Sequence, residues 1–356
     1  MHPLIVLLVI LSPVPAAADE AAVKGARARL EAYRAEHALP AVSAAIGRDG
    51  ELVWADAVGF ADLEAEVPAT AETRFRIGSV SKTLTAALVG RLLERGALDL
   101  DRPVHEWLPD YPEKRWPMTP RQLGGHLAGV RHYAPGEFLW TRHYDSVREG
   151  LEMFEDDPLR FEPGTRYAYS SHGYNLLSAV LEVAGGDDFL SLMQKEVFDP
   201  LRLDRTVADH ADREIDGRAG AYHLVGGAPR PAPEVDLSHK WAGGGFLSTP
   251  TDLVTFGTAW LSDDYLSAKT RDELWTSQRT SDGKETGYGI GWRARRTSDG
   301  LVVGHGGGSV GGRTEFLVLA DRGIVVAVTV NCTQAPELSD LARALASERP
   351  EKVRKR

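Results

Sequence analysis

Apolar and polar positions alternate differently along three stretches of the chain. Over residues 21–37, Val23, Ala26, Leu30 and Tyr33 share one side of a 3.6-residue period, which predicts an amphipathic helix. Residues 41–46 and 52–59 are apolar-rich runs flanking Asp49-Gly50, a pair suited to a tight hairpin because both residue types tolerate positive φ. The distal end repeats the theme: residues 288–294, 301–304, 314–319 and 324–330 read as strands, Asp321-Arg322-Gly323 as a turn, and 337–347 as a helix. Strands at both ends, each flanked by a helix, predict one antiparallel sheet built from both ends and covered by those helices.

The middle of the chain is helical in pattern. Residues 83–94 carry Leu84, Ala87, Leu88 and Leu92 on one stripe, with Gly96 just past the end. Residues 174–184, 190–198 and 252–261 are further helices, joined by Pro- and Gly-rich connections such as 226–233. The expected fold class is therefore α+β. A sheet lobe of about residues 19–78 and 285–350 holds an inserted, mainly helical lobe of about 79–284, with a groove between them.

The chain ends carry their own signals. Residues 4–11 are an unbroken apolar run, and Ala16-Ala17-Ala18 precedes Asp19-Glu20. This predicts a secretory signal over 1–18, cleaved near Ala18, and a periplasmic or secreted protein, although the only basic residue before the run is His2. The run is too short to span a membrane, and no other stretch approaches about 18 apolar residues. Residues 351–356 read as a solvated basic tail. Cys332 stands alone, so no intrachain disulfide is expected. A formal net charge of −10 argues against nucleic acid and anionic membrane as partners.

Chemistry enters with Ser79-Val80-Ser81-Lys82. A serine hydroxyl is a weak nucleophile that needs a neighbour to take its proton and donors to hold the oxyanion. Ser79 and Lys82, three apart, share a helix face. Ser79 could equally be a helix cap. Lys82 favours chemistry, since a lysine in a first turn sits badly with the helix dipole, while a cation beside Ser79 would ease its ionisation. A second Ser-x-x-Lys, Ser281 to Lys284, falls in a turn-like segment and reads as a solvated loop.

Phe75-Arg-Ile-Gly-Ser-Val-Ser-Lys82 resembles the nucleophile segment of the serine β-lactamase and penicillin-binding protein superfamily, in its class C-like branch. Gln122 to Gly129, Tyr169-Ser170-Ser171 followed by Gly173-Tyr174, Gly243 to Leu253, Tyr288 to Trp292 and His305-Gly306-Gly307 are similar to that branch's further motifs, in order. The resemblance implies a serine hydrolase with Ser79 as nucleophile, Lys82 as proton partner and Tyr169 as base or relay. It places His305 where many relatives carry lysine, the oxyanion on the N–H groups of Ser79 and Gly308, and substrate against Ser171, Gly306 and Gly307. For Tyr169 to act as a base, nearby cations would have to favour its phenolate. His305, titrating near 6.5 if unperturbed, would make activity change in the acidic range.

No metal or cofactor is implied. The expected partners are a small peptide, ester or lactam substrate, and a homo-oligomer is admitted by the resemblance alone. Ser171 stands where the superfamily usually carries asparagine, and Gly306 where threonine is frequent. Both losses speak against a dedicated β-lactamase and for a peptidase- or esterase-like enzyme, with D-amino-acid peptides among the substrates the envelope would offer. A true β-lactamase or D-alanyl carboxypeptidase, and a non-catalytic peptide-binding or self-assembling protein on the same scaffold, are the alternatives. Gly307-Gly-Ser-Val-Gly311 fits an α/β-hydrolase elbow, but no histidine follows it in the chain. His126 and His132 lack metal-ligand spacing and read as structural.

Overall fold

The computed structural model describes residues 16–348, so the apolar run 4–11 and the basic tail 351–356 lie outside the described residues. Helix α1 (Ala16–Glu36) leads into β1 (Ala41–Arg48), β2 (Glu51–Asp62) and the short β3 (Val67–Pro68). The other half of the sheet is β4 (Arg293–Thr297), β5 (Gly300–Ser309), β6 (Gly312–Leu319) and β7 (Ile324–Val330), and α5 (Ser339–Ser347) follows. The strand order is β3-β2-β1-β7-β6-β5-β4. The first and last long strands pair antiparallel, with Val42 opposite Val330, as the patterning requires.

Period-two alternation sorts the sheet's two faces. Val42, Ala44, Ile46, Leu317, Val326 and Val328 pack with Ala26, Leu30, Leu341 and Leu345 of α1 and α5. Ala45, Phe316, Val318, Val325 and Ala327 face the other way, into the core shared with the helices. A strand buried on both faces carries a near-continuous apolar run, which explains Ile-Val-Val-Ala-Val-Thr-Val of β7, where Thr329 is the one polar residue.

Two helices carry the site, α2 (Ser81–Glu94) and α3 (Ser171–Gly185), while α4 (Pro250–Ala259) packs on β1, β2 and β7. Helix α2 is buried on almost every side, because α3 and the turn Trp241–Gly244 pack around it. The expected strand over residues 288–294 forms only from Arg293 onward. Gly291 at φ +79° explains this, since a Cβ there would lie 2.5 Å from the Lys82 carbonyl. The backbone turns there to pack against α2 instead of continuing the ladder.

Asn331, just past β7, ties the C-terminal half of the sheet to β1 and β2. Its side chain accepts from the Ala41 N–H at 2.9 Å and donates to the Phe60 carbonyl at 3.2 Å, from a buried position. Replacing Asn331 by Ala leaves buried backbone groups unpaired, so stability is expected to fall by about 1–3 kcal/mol. Denaturant unfolding checks this, and an unchanged midpoint and slope contradict it.

Candidate active site

A short antiparallel ladder delivers the nucleophile segment. Phe75 pairs with Ser248, and the Ile77 N–H bonds the Phe246 carbonyl at 3.2 Å. The chain then passes through Gly78, at φ +51°, into a 3-10 turn (Gly78–Val80) that feeds α2. A Cβ on Gly78 would lie 2.6 Å from the Gly308 carbonyl. Ser79 caps neither turn nor helix: the residue before α2 is Val80, and no side-chain cap bond exists there. The Ser79 hydroxyl is half-buried and instead lies 3.3 Å from Lys82 Nζ. The second Ser-x-x-Lys lies in an exposed turn.

Lys82 is fully buried, and no acidic side chain among the described residues lies within ion-pair distance. Its Nζ donates to Ser171 Oγ at 3.1 Å and to the Gly243 carbonyl at 2.5 Å, beside Ser79. The rings of Tyr169 and Tyr174 lie 4.9 and 5.2 Å away. Burial, helped by the Lys240 charge, pushes its pKa well below the ordinary lysine value. The sequence suggested a cation easing serine ionisation, but the structure favours a neutral amine able to accept the serine proton.

Two histidines hold the neighbouring segment by its backbone. His126 Nδ1 accepts from the Ser170 N–H at 3.2 Å, and His132 Nδ1 from the Ser171 N–H at 3.1 Å. Their rings flank Tyr169, with centroids 4.3 and 5.5 Å away. Neither role shows in the sequence spacing, because each imidazole meets a backbone group about 40 residues downstream. The Tyr169 hydroxyl is buried without a well-formed hydrogen bond, facing the hydroxyls of Ser79 and Ser171. Burial raises its pKa further than those hydroxyls and the Arg293 charge lower it. The expectation of a cation-stabilised phenolate is thereby corrected: Tyr169 is held protonated, a donor rather than a base.

Strand β5 runs beside the nucleophile. A Cβ on Gly307 would lie 1.9 Å from the Ile77 carbonyl and 3.3 Å from the Ser79 nitrogen, so only glycine permits this approach. A side chain on Gly308 would meet nothing within 4 Å. The strand thus carries Gly308 past Ser79, whose N–H opens the 3-10 turn and points to no carbonyl within it. Gly306 turns the opposite way, toward Glu315, whose carboxyl is pushed up to about 7 by burial. His305 is buried, with Nε2 2.9 Å from the Tyr288 hydroxyl and Nδ1 2.6 Å from the Gly306 carbonyl. The carbonyl requires a proton on Nδ1, so Nε2 accepts from Tyr288. Burial, and then the Lys82 charge, push His305 down to about 3. The expected titration near 6.5 is therefore corrected; the ring stays neutral through the acidic range.

The structure brings Ser79, Lys82, Tyr169, Ser171 and His305 around one point, with Gly306 to Gly308 along its edge. It adds Tyr133 and Lys240, to which the sequence motifs gave no site role. Tyr133 lies next to Ser171, and Lys240 is buried over the Tyr133 and Phe138 rings.

Comparison with known proteins identifies the family. The Beta-lactamase family model matches residues 26–349. The human serine beta-lactamase-like protein LACTB, mitochondrial, is 32% identical over 67% of this chain. This chain spans only 56% of that relative's length. The D-aminopeptidase of Gluconobacter oxydans is 29% identical over 90% of this chain and 62% of its own. Among solved structures, the octameric penicillin-binding protein homologue from Pyrococcus abyssi superposes with a TM-score of 0.78 at 27% identity, covering 91% of this chain and 76% of that one.

Two outcomes follow from the geometry. Gly307→Ala should lower acylation of Ser79 by about 10²–10³, the effect of disturbing an oxyanion donor, while leaving the fold intact by circular dichroism. An unchanged acylation rate contradicts the close approach. The second concerns acid. Burial holds His132 and His172 at about 4, His305 at about 3 and His239 at about 2, and also lowers His126. Unfolded histidines bind protons below about 6.5. Between that value and the folded pKa values the unfolded state holds more protons, so stability is full above about 6.5 and falls as pH drops. Denaturant midpoints at pH 7.5 and 5 measure this, and equal midpoints contradict it.

Proposed function

The chain belongs to the Beta-lactamase family of Ser-x-x-Lys serine hydrolases, and from that premise we propose that it cleaves amide or ester bonds through an acyl-enzyme on Ser79, as a peptidase- or esterase-like enzyme. The observation that carries the proposal is the Lys82 amine: fully buried, unpaired by any described acid, and 3.3 Å from Ser79 Oγ. Neutral Lys82 takes the serine proton as Oγ attacks the carbonyl carbon. The N–H groups of Ser79 and Gly308 hold the oxyanion. The leaving atom takes the Tyr169 hydroxyl proton, and the Lys82 ammonium restores it. Water then attacks the ester, giving its proton to Lys82, which returns it to Ser79 as the product acid leaves.

The choice of linear amides or esters over lactams rests on Ser171. Its hydroxyl is engaged by Lys82 at 3.1 Å, and it is too short to reach a substrate amide as asparagine would. A relative that is a D-aminopeptidase supports small peptides, including those of D-amino acids. Export to the periplasm or beyond is part of the proposal and rests on the apolar run 4–11 with Ala16-Ala17-Ala18. Self-association rests on the octameric homologue alone.

The test is intact mass after incubation with a fluorophosphonate, alongside turnover of peptide and ester anilide panels. One adduct is expected on the wild-type protein and none on Ser79→Ala, with Lys82→Met acylating about 10²–10⁴ times more slowly. An unlabelled wild type, or unchanged turnover in Ser79→Ala, rejects the assignment and favours a non-catalytic binding protein.

A further inference from the structure

Lys240 is a second buried lysine near the reaction centre that the proposed steps do not use. It is 3% exposed, and no described side chain forms a hydrogen bond or ion pair with its Nζ. Its ammonium lies 5.2 Å from the Tyr133 ring centroid and 5.0 Å from that of Phe138. Nearby carboxylates are already engaged: Asp209 by Arg76 at 2.6 Å and Arg218 at 3.0 Å, Asp236 by His143 at 2.8 Å. A buried ammonium set against ring faces, with its nearest carboxylates already engaged by other cations, is costly unless a further anion arrives to meet it.

Its position says which part of a substrate would meet it. The site has two ends. At one, Tyr169, His305 and Tyr288 cluster, and Tyr169 is the protonated group that can donate to a leaving atom. At the other, Ser171, Tyr133 and Lys240 follow one another away from Lys82. The Tyr133 ring beneath Lys240 stacks on His132 with centroids 4.4 Å apart, and His132 accepts from the Ser171 N–H, which ties Lys240 to the reaction centre. If the leaving group occupies the first end, the acyl group extends toward the second.

We propose that Lys240 is a specificity-determining residue that pairs with a carboxylate on the acyl part of the substrate, so that the enzyme prefers acyl groups bearing a negative charge. This inference rests on the serine hydrolase reading. The Tyr133 and Phe138 ring faces partly balance the ammonium charge. Burial holds Lys240 at about 8, so the ammonium form is present at neutral pH and meets a carboxylate as an ion pair.

The experiment compares N-acetyl-glutamyl and N-acetyl-glutaminyl anilides, in both D and L forms, which differ in charge at nearly constant shape. Turnover is measured in wild type, Lys240→Met and Lys240→Arg, and calorimetric binding in Ser79→Ala with and without Lys240→Met. The wild type should favour a glutamyl substrate in kcat/KM by about tenfold or more, the size expected for a charge-assisted hydrogen bond. Lys240→Met should bring that ratio close to one, and Lys240→Arg should restore part of it. Lys240→Met should also match or exceed the wild-type denaturation midpoint, since an unpaired buried charge is removed. Turnover without charge preference, or a preference that survives Lys240→Met, overturns the inference. Discrimination in Ser79→Ala binding without wild-type turnover would overturn the hydrolase reading, and with it the preference among acyl groups, while keeping a carboxylate-binding site at Lys240. Neither turnover nor discrimination overturns both.

Discussion

The structure depends on the burial of one amine without a counter-charge. Lys82 sits at 0% exposure on the first turn of a helix buried nearly all round, with hydroxyls, a carbonyl and two aromatic rings as neighbours. An ammonium there would meet both desolvation and the wrong end of the helix dipole. Shedding the proton is the less costly response, and it leaves a base against the Ser79 hydroxyl. Much of the surrounding architecture keeps this place dry. Gly291 lets the segment before β4 close onto the Lys82 carbonyl, and Gly243 supplies its own carbonyl to the amine.

The same logic runs through the rest of the site. Its polar groups are tuned more by removal from water than by pairing. His126, His132 and His305 are held neutral, which frees ring nitrogens to accept hydrogen bonds from Ser170, Ser171 and Tyr288. Tyr169 is held protonated between these rings. A neutral amine and an acidic phenol on either side of one hydroxyl form a proton donor and acceptor set apart by environment.

The fold was largely legible because its cause is local. Asp49-Gly50 takes positive φ at both residues, and the apolar runs on either side of it become β1 and β2. Ser79, Lys82, Tyr169 and His305 could be picked out because motif order survives folding. Less legible was whatever depends on distant packing. The strand pattern over residues 288–292 yields to the approach of α2 at Gly291. His126 and His132 meet backbone N–H groups that no spacing rule links to them. Lys240 looks like any surface lysine until the loop carrying Tyr133 and Phe138 folds over it. Protonation states were the hardest to foresee, since reference values near 6.5 and 10 describe groups in water.

The ionisation of Lys82 can be read by NMR. The protein is labelled with ¹⁵N at lysine side chains, and the Lys82 Nζ signal, assigned through Lys82→Met, is followed against pH. A midpoint well below the ordinary lysine value of 10.5 is expected, with a neutral amine at the pH where Ser79 reacts with acylating probes. A midpoint at or above 10.5 would contradict it.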